Sequence, residues 1–479
     1  MTRRSFVAGA IAILLLAAAL RLPGLDAQSL WSDEIYSVES ARWSLPALLT
    51  ARDGHPPLYG LIQNALDRVR PSDLHGRAVS AVAGIAAVGA MLALGLALAG
   101  RRAALVAAGL LAISPLHVWY SREGRMYALV MLWSIVGSWC FVRALRDGAR
   151  RAWVAWALVS MAGLATHYLY GPVLLAQAGF VALRQAGALG TRRLLVIGGA
   201  TVALGMVCIA FLGDEAAGVV ARRRSFEWLS VPYTAFAFVA GFGLGPPVEL
   251  LQHSRNVATV AAFWPGLTAA AVAGLVLAWA SLRALRSLGA WGVYLVRWLL
   301  VPAVSVFGGA WVTHGSYTVR YLLPALPAFL LLAAVGIAGM PRRWGALVLG
   351  ALTVLSAVSI ARDRYDPRYA REDLRGAARW LHDHAGTQAP VAVSASYIVY
   401  GLRHYDDALR LAPLTDRPLQ TQADAERALS PLMRAGGWLV LSRDWEDDPS
   451  GELARVIARR APGALVATLP GVRIYRFPG

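Results

Sequence analysis

The sequence predicts a polytopic helical membrane bundle followed by a small α/β domain. Three observations carry this. Of 479 residues, 57% are hydrophobic and 15% charged, a membrane composition. Long apolar runs recur up to about Ile360, separated by arginine-bearing turns. Beyond Ile360 the chain becomes polar, and helical and strand periodicities alternate.

About eleven apolar spans can be drawn: 5–22, 79–99, 103–119, 126–142, 152–167, 171–183, 194–212, 257–280, 291–312, 321–340 and 344–360. Several fall below the roughly 20 residues that cross a bilayer directly. The fifth and sixth are the weakest, and a re-entrant hairpin is the alternative for them. The first is read as a retained helix, not a cleavable signal, because many more spans follow.

The net charge of +18 would suggest nucleic acid for a soluble protein. Here it follows from topology, and no nucleic-acid partner is expected. Arg3-Arg4, Arg101-Arg102, Arg143 to Arg151, Arg184 with Arg192-Arg193, Arg283 with Arg286, and Arg342-Arg343 all fall on one side. The positive-inside rule makes that side the cytoplasm. Arg222-Arg223-Arg224 is the exception, in a long outer loop where the rule is weak; it is an anion site or a plain solvated cluster. The expectation is a multi-pass protein of the inner (plasma) membrane with a cytoplasmic N-terminus. Every basic residue is Arg, which genomic base bias explains more simply than function does. Cys140 and Cys208 fall near opposite faces, so neither a disulfide nor a zinc-thiolate site is expected.

Residues 1–360 form the membrane domain, with long outer loops 23–78 and 213–256. Residues 361–479 form an α/β domain, which the odd span count puts on the outer side. Within it, Arg371 to His384 and Leu453 to Arg460 read as helices. Val391–Val393, Gly437–Leu441 and Val472–Phe477 read as strands.

Chemistry-bearing residues cluster at the outer ends of the spans. Trp31-Ser32-Asp33-Glu34-Ile35-Tyr36 follows the first span, and its two acids lie next to the bilayer surface. Ser32 is expected to cap a short helix running to about Trp43, with both acids in its first turn. Adjacent helical residues point about 100° apart, so only one acid can face a common site. The other would hold the loop or orient its neighbour.

His55-Pro56-Pro57-Leu58-Tyr59 lies later in the same loop. The prolines fix the backbone and could aim His55 inward, though a simple turn accounts for them too. Tyr120-Ser121-Arg122-Glu123-Gly124-Arg125-Met126-Tyr127 fills the second outer turn. A tight turn between membrane helices rarely needs so many polar groups, so a site is favoured over an interfacial belt. Thr166-His167-Tyr168 ends the fifth span, and Arg320-Tyr321 opens the tenth. An outer arginine suits a phosphate; snorkelling to lipid headgroups is the alternative. The candidate binding residues are therefore His55, Tyr59, Tyr120, Arg122, Glu123, Arg125, Tyr127, His167, Arg320 and Tyr321.

There is no P-loop, dinucleotide fingerprint, His-Glu-x-x-His or Gly-x-Ser-x-Gly. Span centres carry almost no ionisable residues, which argues against a coupled transporter.

Taken in order, Leu30-Trp31-Ser32-Asp33-Glu34, His55-Pro56-Pro57-Leu58-Tyr59, Ser114-Pro115-Leu116-His117 with Tyr120 to Tyr127, Thr166-His167-Tyr168 and Arg320-Tyr321-Leu322-Leu323-Pro324 resemble the polytopic glycosyltransferases of the GT-C class. The closest likeness is to the bacterial branch related to protein O-mannosyltransferases and the lipid A aminoarabinose transferase. Each motif alone is weak; the ordered set, over roughly residues 1–340, is specific. The resemblance implies a sugar donor on a polyprenyl phosphate and a glycan, lipid or protein acceptor. It makes Asp33 the general base, with Glu34 beside it. Arg122, Arg125 and Arg320 would hold the phosphate, and single displacement would invert the anomeric carbon. Some class members use a divalent metal ion. The acids here have the chemistry to hold one, but no diagnostic ligand set is visible. The rival readings are a lipid-linked glycan flippase or other transporter, an O-antigen polymerase or ligase, and a non-enzymatic protein that displays its C-terminal domain. Apolar spans speak against the transporter, acids and arginines at several outer turns against the display protein, and the acidic pair directly after the first span against the polymerase or ligase.

Overall fold

The computed structural model describes residues 1–50, 55–185, 228–253, 257–313 and 317–478. The span expected at 194–212, Cys208 and Arg222 to Arg224 lie outside the described residues. The chain divides into two compact units. One comprises Met1–Leu25, Val38–Gly241 and Leu267–Ile360; the other comprises Asp26–Ser37, Phe242–Gly266 and Ala361–Gly479.

The first unit is helical. Among the described residues, seven helices of the chain are long and apolar enough to cross a bilayer. The expected span 79–99 and the first part of 103–119 occupy a single helical run, His75–Ile113, broken at Gly100, whose φ is +83°. Only glycine adopts that backbone at no steric cost. A Cβ on Gly95 would sit 2.8 Å from Ala104 Cα. Nine residues of straight helix would hold those two atoms far apart. Gly100 is therefore a turn that folds the two halves against each other. Helix Arg3–Arg21 packs along both, with Ile13 near Gly109, Leu14 near Gly89 and Leu105 near Gly9.

Ser114 Oγ accepts from His117 N–H and caps the next helix, Pro115–Ser121, with proline in its first turn. Fully buried Arg21 seals this junction. It donates to the carbonyls of Ala17, Leu111 and Ala112 at 3.0–3.2 Å, satisfying groups that helix ends leave unpaired.

Helices Arg150–Thr166 and Gly171–Gln185 have 17 and 15 residues. At 1.5 Å per residue each is shorter than the roughly 30 Å hydrocarbon core. The expected span 257–280 is shifted: a short helix Val257–Ala261 precedes Trp264–Leu288. Pro265 explains the start, because it fits a first turn and no interior position. Pro324 acts similarly, giving a 3₁₀ segment, Val319–Ala325, before helix Leu326–Ala338.

The second unit holds a five-stranded sheet in the order β2-β1-β3-β5-β4. The strands are β1 Val391–Ser394, β2 Leu411–Pro413, β3 Gly437–Leu441, β4 Leu465–Leu469 and β5 Val472–Phe477. β1 runs parallel to β2 and β3, and β5 runs antiparallel to β3 and β4. Helices Leu374–Ala385, Ile398–Tyr405, Gln422–Ala435 and Glu452–Arg460 accompany the sheet. Leu429, Leu439, Leu441, Leu453, Val456, Tyr475 and Phe477 are among its core residues.

This unit also takes in part of the loop that follows the first helix. Ser29 Oγ donates to Glu372 O at 2.6 Å, and Leu30 N–H donates to the Tyr405 hydroxyl at 2.6 Å. Arg443 lies over the Trp31 ring, 5.0 Å from its centroid. A further stretch, Phe242–Gly266, belongs to it too, and Tyr369 Oη donates to Gly245 O at 2.7 Å.

Candidate active site

The acidic pair sits where helix Ser32–Ala41 begins. The capping differs from the expectation. Trp31 O accepts from Glu34 and Ile35 N–H, so Trp31 is the cap residue and Ser32 the first helical one. Glu34 is then the third helical residue, and its carboxylate accepts from Trp31 N–H at 3.3 Å, one half of a capping box. The same oxygen pairs with Arg371 Nη1 at 2.9 Å, and the Glu34 side chain is only 1% exposed. Asp33 is partly exposed. The two neighbours are thus divided: Glu34 is built into the second unit, while Asp33 lies on the less buried face with Tyr36.

The remaining candidates fall in the first unit, and most of them converge. Arg125 is buried and its Nη2 lies 2.9 Å from His55 Nε2. A guanidinium only donates, so His55 Nε2 accepts. The His55 ring is 5.9 Å from that of His167, which is 5.7 Å from that of Tyr127. Tyr120 meets Tyr127 edge-on at 5.6 Å. Arg320 stands over Tyr127, 5.4 Å from the ring centroid, a cation–π geometry. The cluster therefore draws on the loop after the first helix, the segment Tyr120–Tyr127, the end of helix Arg150–Thr166 and the 3₁₀ segment Val319–Ala325.

Local backbone rules place these groups. His167 caps the 3₁₀ turn Tyr168–Tyr170, its Nδ1 accepting from Leu169 N–H at 3.1 Å. That fixes the neutral ring's proton on Nε2. His167 is fully buried, and Nε2 has no hydrogen-bond partner among the described residues. A buried donor left so is costly unless a ligand completes it. Helix Tyr127–Asp147 has no side-chain cap, so its first N–H groups stand beside Arg125 without one. Burial, and after it the Glu123 carboxylate, push the Tyr120 phenol well above its ordinary range. Tyr120 is therefore a hydrogen-bond donor at neutral pH.

The other four candidates lie around the cluster. Arg122 donates to Arg21 O, Pro23 O and Gly24 O at 2.8–2.9 Å, tying down the turn after the first helix. Its guanidinium is engaged with those carbonyls, whereas Arg125 meets the His55 ring nitrogen and Arg320 the face of Tyr127. Tyr59 Oη donates to Gly76 O at 2.9 Å and lies 3.1 Å from Ser80 Oγ. Ser80 Oγ in turn donates to Arg125 O at 2.8 Å, so Tyr59 supports the cluster from behind. Tyr321, partly buried, meets Tyr317 edge-on at 6.4 Å. Glu123 is buried in the turn, its carbonyl accepting from Arg125 N–H at 2.7 Å. A Cβ on Gly76 would come within 3.1 Å of Gly124 Cα, so the turn packs directly on that helix start.

Sequence reading missed Arg371, Tyr405 and Arg443. Their one visible signal is position: Arg371 precedes the first helix of the second unit, and Arg443 follows β3. Among the described residues no group of three or more His, Cys, Asp or Glu side chains is placed to hold a metal ion.

The fold has known counterparts. The apo crystal structure of ArnT from Cupriavidus metallidurans matches with TM-score 0.56 and 14% identity, over 98% of this chain and 97% of that one. The chain has the GT-C fold. A second structure of that ArnT, bound to undecaprenyl phosphate, matches with TM-score 0.50 over the same shares. The GT-C oligosaccharyltransferase AglB of Archaeoglobus fulgidus, in complex with an inhibitory peptide and a dolichol phosphate, gives TM-score 0.54 at 11% identity, over 92% of this chain and 70% of that one. The family model for dolichyl-phosphate-mannose-protein mannosyltransferase matches residues 54–211. No curated protein sequence gives a match. With its apolar helices, the GT-C chain is a multi-pass membrane protein.

Proposed function

We propose that this protein is a membrane glycosyltransferase that moves a sugar from a polyprenyl-phosphate donor to an acceptor hydroxyl. The observation that carries the reading is the cluster of Arg125, His55, His167, Tyr127 and Arg320, with an uncompleted buried donor on His167. Two guanidiniums, an imidazole N–H and an uncapped helix start are a receptor for an anion. The matched region includes His55, Tyr120, Arg125, Tyr127 and His167. Two of the structural neighbours were solved with polyprenyl phosphates, dolichol phosphate in AglB and undecaprenyl phosphate in ArnT.

The mechanism follows from the charges. Transfer breaks the bond between the anomeric carbon and the phosphate oxygen, and the phosphate leaves as a stable anion. It needs cations more than a strong acid. Arg125 and Arg320 supply them, and His167 adds a hydrogen bond. Asp33 takes the proton from the attacking acceptor hydroxyl as the carbon–oxygen bond forms. Displacement in a single step inverts the anomeric centre. Glu34, committed to Arg371, orients the Asp33 helix. Arg122 and Tyr59 hold the frame behind the phosphate site, with Tyr120, Glu123 and Tyr321 beside it.

The reading includes orientation: N-terminus in the cytoplasm, residues 361–479 outside. A C-terminal phosphatase fusion, active only when exported, is expected to be active; a signal from a cytoplasm-only reporter would reverse it. The activity itself is tested with purified protein and a panel of polyprenyl-phosphate sugars. Transfer from at least one, lost in Asp33→Asn, is expected. No turnover of any donor, with lipid transport in its place, would return the flippase reading.

A further inference from the structure

The base assigned above sits on a helix whose N-terminus belongs to the second unit. The chain enters that unit at Asp26 and leaves it after Ser37. Between those points six residues are fastened: Asp26, Ser29, Leu30, Trp31, Glu34 and Ile35. Arg375 Nη2 donates to Asp26 O at 2.8 Å. Ser29 Oγ donates to Glu372 O and accepts from Leu374 N–H at 3.2 Å. Leu30 N–H donates to Tyr405 Oη. Trp31 lies under Arg443, which is itself paired with Glu372. Glu34 pairs with Arg371, both almost fully buried. Ile35 is fully buried, and its Cδ1 lies beside Gly401.

We propose that residues 371–443 of the second unit form a positioning clamp for Asp33, with Arg371 as its principal positioning residue. The proposal rests on the reading of Asp33 as the base. Its physics is that of preorganisation. Glu34 is one residue after Asp33, so fixing Glu34 by an ion pair and a cap bond fixes the helix phase, and with it the direction of Asp33. A buried ion pair adds little net stability, yet it specifies one geometry, and removing one partner strands the other. A misplacement of about 1 Å at a catalytic group costs on the order of 10²-fold in rate. The sheet's parallel strands supply the rigid mount: Arg443 follows β3, and Tyr405 ends the helix between β1 and β2. Arg371 touches no reacting atom in this account. Its effect passes through Glu34, so a loss should fall on kcat and leave donor binding alone.

The test uses the full chain with Arg371→Gln, Arg371→Lys, Glu34→Gln, the double variant, Tyr405→Phe and Asp33→Asn. Three quantities are read: kcat with the best donor of the panel, affinity for undecaprenyl phosphate, and amide hydrogen exchange over residues 29–37. Arg371→Gln and Glu34→Gln are expected to lower kcat roughly 10- to 100-fold, with undecaprenyl phosphate affinity unchanged and exchange of 29–37 raised. The double variant should be no worse than either single one, since both remove the same pair. Arg371→Lys should recover part of the rate. Tyr405→Phe, which deletes one hydroxyl and is the fallback if Arg371→Gln misfolds, should lower kcat about threefold. Unchanged kcat and unchanged exchange in Arg371→Gln, or in Tyr405→Phe if that variant alone folds, would overturn the clamp. A fully active Asp33→Asn would overturn the base instead, and raised exchange in Arg371→Gln would still establish the clamp as a structural fact.

Discussion

The proposed phosphate-binding cluster and the acidic helix are built on opposite plans. The cluster gathers Arg125, His55, His167, Tyr127 and Arg320 from four segments of the helical unit, and its rings follow one another tilted, with centroids 5.9 Å apart for His55–His167 and 5.7 Å for His167–Tyr127. No single helix carries it. The acidic helix is one short element, and its chemistry depends on a split between two adjacent side chains. Glu34 is buried against Arg371 and Asp33 is left partly exposed. A dispersed site tolerates loss of one donor because others remain. A site that rests on one carboxylate does not. The two plans suit their proposed tasks, holding a doubly liganded anion and removing one proton.

The comparison breaks first at Asp33. Asp33→Asn is expected to reduce transfer by roughly 10²–10⁴-fold or more, since a positioned base typically contributes that much. Circular dichroism and elution volume should match the parent protein. Near-normal turnover in the purified variant would shift the base to Glu34, and a Glu34→Gln loss exceeding that of Asp33→Asn would do the same.

Next comes the cluster. Arg125→Ala should weaken undecaprenyl phosphate binding in neutral detergent by roughly 10- to 100-fold, the range of one charge-assisted contact. Arg320→Ala should weaken it similarly. Lys at either position should recover only part, because an ammonium lacks the planar fork. Equal affinity in both alanine variants would reduce these arginines to headgroup contacts, worth on the order of 1 kcal/mol each.

A smaller effect sharpens the division within the cluster. His167→Phe keeps the ring packing but removes both the Nε2 donor and the Nδ1 cap bond from Leu169 N–H, so stability should fall, and binding should fall severalfold, by the roughly 0.5–1.5 kcal/mol of the one hydrogen bond to phosphate. Tighter binding in this variant would mean that His167 faces no acceptor. The smallest expected effect on binding is at the frame. Tyr59→Phe should lower stability by about 1–2 kcal/mol, and Arg122→Ala similarly, read by thermal unfolding, with phosphate affinity changed less than in Arg125→Ala. A larger loss of affinity in Arg122→Ala would restore that arginine to the phosphate site.

Much of the architecture was legible because apolar runs and proline positions are local signals. Strands β1, β3 and β5 and the flanking helices stand where periodicity puts them. β2 was missed because it is three residues long and ends in Pro413, and β4 because its exposed pattern does not alternate cleanly. Helix Gln422–Ala435 is masked in sequence by Pro431. The polar cluster was legible as a density of functional groups at span ends. Its pairings were not, since His55 meets Arg125 only through folding. Least legible was the membership of Asp26–Ser37 in the second unit. Arg371 lies far along the chain from Glu34, and no periodicity links them. The cap was misjudged for a related reason. Serine is the better intrinsic cap, but Glu34 reaching back to Trp31 N–H shifts the helix start by one residue.

The central claim is a division of labour between anion holder and base. The most direct measurement compares Asp33→Asn and Arg125→Ala side by side, recording undecaprenyl phosphate affinity and single-turnover transfer for each. The account predicts that Asp33→Asn binds the lipid phosphate like the parent and transfers almost nothing, whereas Arg125→Ala loses affinity and regains part of its rate at high donor concentration. Equal loss of affinity in both, or normal transfer by Asp33→Asn, would contradict it.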